Sequence, residues 1–178
     1  MTTMNVLAIC GSLRAASINR VLLHAAIRLS PPSMEIVMSM DIGALPLYNP
    51  DLEHCVPAQV VRFRTQVAAT QALLIASPEY AHGVTGTLKN ALDWLVSFEP
   101  FANKPVALLN ASPRAHHADD ALREILKTMS AELVEAASIN VPLLSSSLTE
   151  DVIAGHPEIS IAIASALVGL QASISHRI

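Results

Sequence analysis

Asn5-Val-Leu-Ala-Ile-Cys-Gly-Ser-Leu-Arg-Ala-Ala-Ser-Ile-Asn-Arg20 joins an apolar run to a polar turn, and the turn leads into the helical pattern Val21-Leu-Leu-His-Ala-Ala-Ile27. A buried strand, a turn and a helix start, in that order, build an anion site. The first backbone N–H groups of a helix have no internal acceptor, and the helix dipole places partial positive charge beside them. This turn adds the guanidinium groups of Arg14 and Arg20, the hydroxyls of Ser12 and Ser17 and the amide of Asn19. Such donors suit a phosphate dianion, because each makes a charge-assisted hydrogen bond. A dinucleotide fingerprint is excluded, since only Gly11 stands where several glycines are required. The Gly-Lys-Ser/Thr ending of a triphosphate loop is also missing. Recognition by side chains rather than bare backbone fits a terminal monophosphate. Plain helix capping by Ser17 or Asn19, with both arginines solvated, is the alternative.

Outward from this turn the chain alternates. Apolar runs recur at 5–10, 35–40, 72–76, 106–110 and 134–141, and helical patterns fall between and after them at 19–29, 57–70, 87–96, 119–130 and 157–172. Alternation of this kind argues a parallel sheet covered on both faces, and continuously apolar strands agree with it. The expected fold class is α/β: a flavodoxin-like three-layer sandwich. Its five-stranded parallel sheet has the order 2-1-3-4-5, with helices on both faces. A single domain spans 1–178. In that order a ligand lies outside the carboxyl ends of the strands, near the first and third. The loop at 45–50 is expected at the cleft mouth.

Composition bounds the function classes. The 178 residues are 52% hydrophobic and 15% charged, with a net charge of −4, so no basic face suits a nucleic acid. The start has no basic leader, and the apolar segment 159–170 is too short to cross a bilayer, so no membrane partner is expected. Cys10 and Cys55 form neither a disulfide framework nor a metal-ligand spacing. The expected compartment is the cytoplasm, with no metal.

The loop after the third strand reads Ser77-Pro-Glu-Tyr-Ala-His-Gly83 and should lie beside the phosphate turn. Pro78 stiffens it, Gly83 and Gly86 loosen it, and its backbone can edge a flat heteroaromatic ring. Each residue also has a plainer reading: a turn at Pro78-Glu79, a packing Tyr80, a surface His82.

These two stretches carry a resemblance. The first, Gly11 to Arg20, resembles the phosphate loop of the NADPH-dependent FMN reductase family. The second, Ser77-Pro-Glu-Tyr-Ala-His-Gly-Val-Thr-Gly-Thr-Leu-Lys-Asn-Ala-Leu-Asp-Trp94, is similar to its second signature. The resemblance implies that Ser12, Arg14, Ser17, Asn19 and Arg20, with Ile18 among them, hold the FMN phosphate. It implies that Pro78, Glu79, Tyr80, Ala81, His82 and Gly83 line the isoalloxazine, and that Ser112 joins them from the fourth loop. The implied activity passes electrons from NADPH (or NADH) through FMN to a small-molecule acceptor, by a ping-pong scheme. Acceptors in the family are flavins, quinones, azo compounds or metal oxyanions. No catalytic residue is assigned, because the flavin carries the hydride chemistry. A flavodoxin-type electron carrier and a scaffold without flavin are the competing readings.

Two departures stand out. Thr85 occupies a place where the family commonly has proline, which should loosen the turn. The fourth loop, Ala111-Ser-Pro-Arg-Ala-His-His-Ala-Asp119, replaces a glycine-rich segment, and it is expected to crowd the ring. Trp94 and Phe98 lie off the apolar stripe of Leu88, Ala91, Leu92, Leu95 and Val96. Their exposure would make them anchors of a homodimer, and the resemblance likewise implies a homodimer or homotetramer.

Overall fold

Strand β1 (Met4–Cys10) is buried from Val6 onward and lies inside the sheet, with β2 (Met34–Met38) on one side and β3 (Ala72–Ala76) on the other. The computed structural model describes residues 3–112, 114, 116–143 and 148–176. All pairings in the main sheet are parallel, and its order is β2-β1-β3-β6-β7, with β6 at Pro105–Asn110 and β7 at Glu132–Leu133. This is the flavodoxin-like order.

Residue parity sorts the core into two halves. On one face lie Val6, Ala8, Ala72, Leu74, Ala76, Ala107 and Leu109, under helix α1 (Ile18–Arg28), helix α5 (Glu150–Gly155) and helix α6 (Pro157–Ser175). On the other lie Leu7, Ile9, Leu73, Ile75, Val106 and Leu108, under helix α2 (Ala58–Ala68), helix α3 (Gly86–Asp93) and helix α4 (His116–Thr128). The first face is paved largely with alanine, so its helices sit close; the second takes Trp94, Phe63 and Phe101. Burial of both faces is why the strands read as continuous apolar runs.

The fifth strand is broken. The sequence pattern reads one strand over 134–141, but β7 stops at Leu133, a 3₁₀ turn covers Glu135–Ala137, and β8 (Ile139–Asn140) resumes the pairing with β6. Ser138 explains the interruption. Its Oγ accepts the Leu108 N–H at 3.2 Å and donates to the Val134 carbonyl at 3.0 Å, so a side chain replaces a missing rung. Gly169 of α6 faces this turn, where an added Cβ would lie 3.0 Å from the Ala136 carbonyl oxygen. Helix α5, absent from the sequence reading, packs on α1 with an Arg28–Asp151 ion pair. Helix α6 is longer than its sequence pattern and is apolar enough in composition to cross a membrane. Here Ile163, Ala166, Leu167, Leu170 and Ile174 bury one side of it in the core.

Trp94 corrects a second expectation. Trp94 is the C-cap of α3, with helical backbone angles and its N–H donating to the Asn90 carbonyl at 3.2 Å, so its burial comes from neighbouring segments that cover the indole. Trp94 is 0% exposed, Phe98 is half-buried, and Val96 points outward instead. The 45–50 loop supplies the cover rather than a cleft wall. Trp94 Nε1 donates to the Pro46 carbonyl at 2.8 Å, and the Tyr48 ring meets the indole edge-on at 5.0 Å. Arg64 lies over both Trp94 and Phe98, donates through Nε to the Trp94 carbonyl at 2.8 Å, and pairs with Glu53 at 2.8 Å. A buried Trp94 is not an interface anchor, so the aromatic argument for a homodimer falls.

The Arg64 hydrogen bond holds the Glu53 carboxyl below its ordinary value. A carboxylate whose folded pKa is depressed contributes stability above its unfolded pKa and loses it as pH falls through the folded value. Glu53→Gln should therefore lower the urea midpoint at neutral pH and flatten its decline toward about pH 3. A decline as steep as that of the parent would assign the acid sensitivity to other carboxylates.

Candidate active site

The carboxyl ends of β1, β3 and β6 meet along one edge, and the site is built there. Gly11 N–H donates to the Ala76 carbonyl at 2.8 Å, which extends the β1–β3 pairing by one residue. A Cβ on Gly11 would lie 2.2 Å from Ser77 Oγ and 2.6 Å from Ser77 Cβ, so only glycine permits this approach. Thr85 fastens the junction. Its Oγ1 donates to the Gly11 carbonyl at 2.7 Å and accepts the Leu88 N–H at 3.3 Å, capping α3. The hydroxyl thus ties the phosphate turn to α3, and the expectation of a loosened turn is corrected.

Ser17 stands at the N-cap of α1, yet its side chain makes no capping bond. Ser12, Ser17 and Asn19 are buried, Ile18 and Arg20 are half-buried, and Arg14 is exposed. Asn19 Oδ1 and Arg20 Nε are buried without a hydrogen-bond partner among the described residues. Unmet buried polar atoms cost about 1–3 kcal/mol each unless a ligand supplies the partner. One is an acceptor and the other a donor, so a ligand carrying both a hydroxyl and an anionic group would meet them. Helical capping alone does not account for either atom.

A cleft of about 360 Å³ opens beside this turn, bordered by Ile18, Asn19, Ser77, Pro78, Glu79, Ala111, Ser112 and Arg114. Its size falls within the usual range for ligand sites. A smaller hollow of about 90 Å³ is bordered by Ser12 and Arg20, with Cys10, Met38 and Asp41. The structure therefore brings Ile18, Asn19, Pro78, Glu79 and Ser112 onto one cleft wall, while Ser12 and Arg20 share the second hollow. Ser77, Ala111 and Arg114 lay in the two loops singled out in the sequence but were not among the assigned binding residues. Their signal was positional, since each follows a strand at its carboxyl end.

The loop after β3 is not a simple turn. Strands β4 (Glu79–Tyr80) and β5 (Gly83–Val84) pair antiparallel around Ala81-His82. Both central residues have positive φ, 50° for Ala81 and 58° for His82, whereas neither Gly83 nor Gly86 does. The expected looseness at the two glycines is corrected: the left-handed conformation falls on residues with side chains. A two-residue hairpin turn needs positive φ at both centres, and for L-residues this is strained. Contacts around the tip offset the strain. The His82 ring stacks on His117 at 4.4 Å, and His117 meets His116 at 4.0 Å. Glu79 Oε2 accepts the Ala118 N–H at 2.8 Å, so a β4 carboxylate serves a free donor in the first turn of α4. Tyr80, Ala81 and His82 are exposed at the tip rather than on the cleft wall. In the fourth loop, Pro113 and Ala115 lie outside the described residues.

The flavodoxin-like sheet thus carries a ligand-sized cleft at the carboxyl ends of its central strands, beside the turn that opens α1. The sequence profile of NADPH-dependent FMN reductases matches residues 4–147, and the chain belongs to that family. An NAD(P)H-dependent FMN reductase of Pseudomonas aeruginosa is 48% identical over 110 residues, covering 60% of this chain and 59% of the relative. A quinone reductase of Escherichia coli K12 is 35% identical over 113 residues, covering 61% of this chain and 60% of the relative. The match thus spans about three-fifths of each curated relative. Among solved structures, FerB, a flavoenzyme NAD(P)H:(acceptor) oxidoreductase of Paracoccus denitrificans, shares the fold. Its TM-score is 0.82 at 23% identity, over 95% of this chain and 96% of that one.

Ala81→Gly should remove left-handed strain and stabilise the fold by about 0.5 kcal/mol or more. Urea unfolding measures this. A destabilised variant would mean that the Ala81 methyl packs in a way that outweighs the strain.

Proposed function

We propose that this chain is an FMN-dependent NAD(P)H oxidoreductase that reduces a small oxidised acceptor. The observation that carries the reading is the pair of unmet buried atoms, Asn19 Oδ1 and Arg20 Nε, at the start of α1. Family membership supplies the cofactor that would meet both. Quinone reductases among the relatives favour a quinone as the acceptor.

Each residue then has a task. Arg20, Ser12 and Ser17 would bind the phosphate, aided by the orphan N–H groups of α1. Asn19 Oδ1 would accept from a ribityl hydroxyl. Pro78 and Ala111 would close the slot from two sides, and Ser112 would add a polar edge. Glu79 would act indirectly, fixing the first turn of α4 beside the slot. Bound FMN supplies two-electron transfer between donor and acceptor. The nicotinamide and the acceptor would occupy the same face of the flavin in turn, and steady-state kinetics would be ping-pong. We place the protein in the cytoplasm, where reduced nicotinamides are available and free thiols such as Cys10 and Cys55 persist.

The absorbance spectrum of protein saturated with FMN, before and after anaerobic NADPH, tests the reading. Bleaching by NADPH followed by recolouring with a quinone is the expected result. A yellow protein inert to NADPH would be an electron carrier, and one that ignores FMN would be a scaffold. Arg20→Ala should weaken FMN binding roughly ten- to a hundredfold, from a charged hydrogen bond of about 1.5–3 kcal/mol. Arg14→Ala should do less, because Arg14 is exposed. Equal affinity of Arg20→Ala and the parent in a fluorescence titration would remove Arg20 from the phosphate site.

A further inference from the structure

Two charged residues border the cleft, Glu79 and Arg114, and they are not equivalent. The Glu79 carboxylate receives the Ala118 N–H at 2.8 Å and lies in the positive field at the start of α4. Arg114 is held through its backbone. Its N–H donates to Ser112 Oγ at 3.4 Å, and the Ser112 N–H donates to Asn110 Oδ1 at 3.1 Å. The Arg114 guanidinium has no hydrogen bond or ion pair among the described residues. Asp119, the nearest acidic residue along the chain, is engaged by Arg123 at 2.7 Å. The cleft is therefore bordered by one carboxylate, already engaged by the Ala118 N–H, and by one guanidinium without a partner among the described residues, on the loop where the resembling family has glycines.

We propose that Arg114 tunes the bound flavin: its guanidinium favours the reduced, negatively charged ring over the neutral oxidised ring and so raises the midpoint potential. This rests on the FMN reading of the cleft. The effect is differential by nature, because a fixed charge acts strongly on an anion and weakly on a neutral ring. It also separates Arg114 from Arg20, whose charge meets the phosphate in both redox states and leaves the potential nearly unchanged.

The test is the midpoint potential of FMN on the parent, Arg114→Gln and Arg114→Lys proteins, with the affinity for oxidised FMN measured alongside. Removing the charge should weaken binding of reduced FMN about tenfold relative to oxidised FMN, which lowers the potential by about 30 mV for a two-electron couple. Affinity for oxidised FMN should change little, and Arg114→Lys should restore most of the potential. The gap between parent and Arg114→Gln should narrow as salt is raised, since the group is exposed. An unchanged potential overturns the proposal. So does equal weakening of both redox forms, which would make Arg114 a phosphate ligand. A parent protein that binds no FMN overturns the functional reading itself, a result distinct from either of these.

Discussion

The contact on which the site depends is the approach of Gly11 to Ser77. Two parallel strands end side by side there, close enough that any Cβ on Gly11 would overlap the serine side chain. That closeness brings the phosphate turn and the loop after β3 into one cleft rather than two separate features. Thr85 then holds the junction from below, bonding the Gly11 carbonyl while it caps α3. Strand register, turn position and helix start are thereby coupled. A shift in one of them would move the residues of the α1 turn relative to the loop after β3.

The strand order and the strand–turn–helix at Ser12 to Arg20 were legible because their signals are local. β1, β3 and β6 are continuous apolar runs, and the donors between Ser12 and Arg20 sit at a helix start. What escaped depends on tertiary context. The break in the fifth strand comes from one hydroxyl, Ser138, that substitutes for a ladder partner, and no propensity encodes that exchange. Trp94 looked exposed because helical spacing places it off the apolar stripe, and its cover comes from Pro46, Tyr48 and Arg64 on other segments. Arg114 was visible as part of an altered loop, but its place on the cleft wall required the fold.

The hairpin after β3 shows how a strained tip is kept in place. Ala81 and His82 hold left-handed backbone where glycine would be easier, and the surrounding contacts come from the fourth loop and α4. The histidine stack and the Glu79 contact both tie the hairpin to the same helix start. The loop after β3 and the loop after β6 therefore behave as one wall. Changes in the fourth loop, where this chain differs from its family pattern, will be felt at the loop after β3 as well.

The interrupted fifth strand has a meaning for solubility. A sheet edge with a long row of free N–H and C=O groups invites pairing with another chain. Here that edge is two fragments of two residues each, separated by a 3₁₀ turn and backed by α6 through Gly169. At a rise of about 3.3 Å per residue, neither fragment presents a ladder longer than about 7 Å. Such short rungs give a foreign strand too little to grip, so the break guards an open parallel sheet against growing by one more strand.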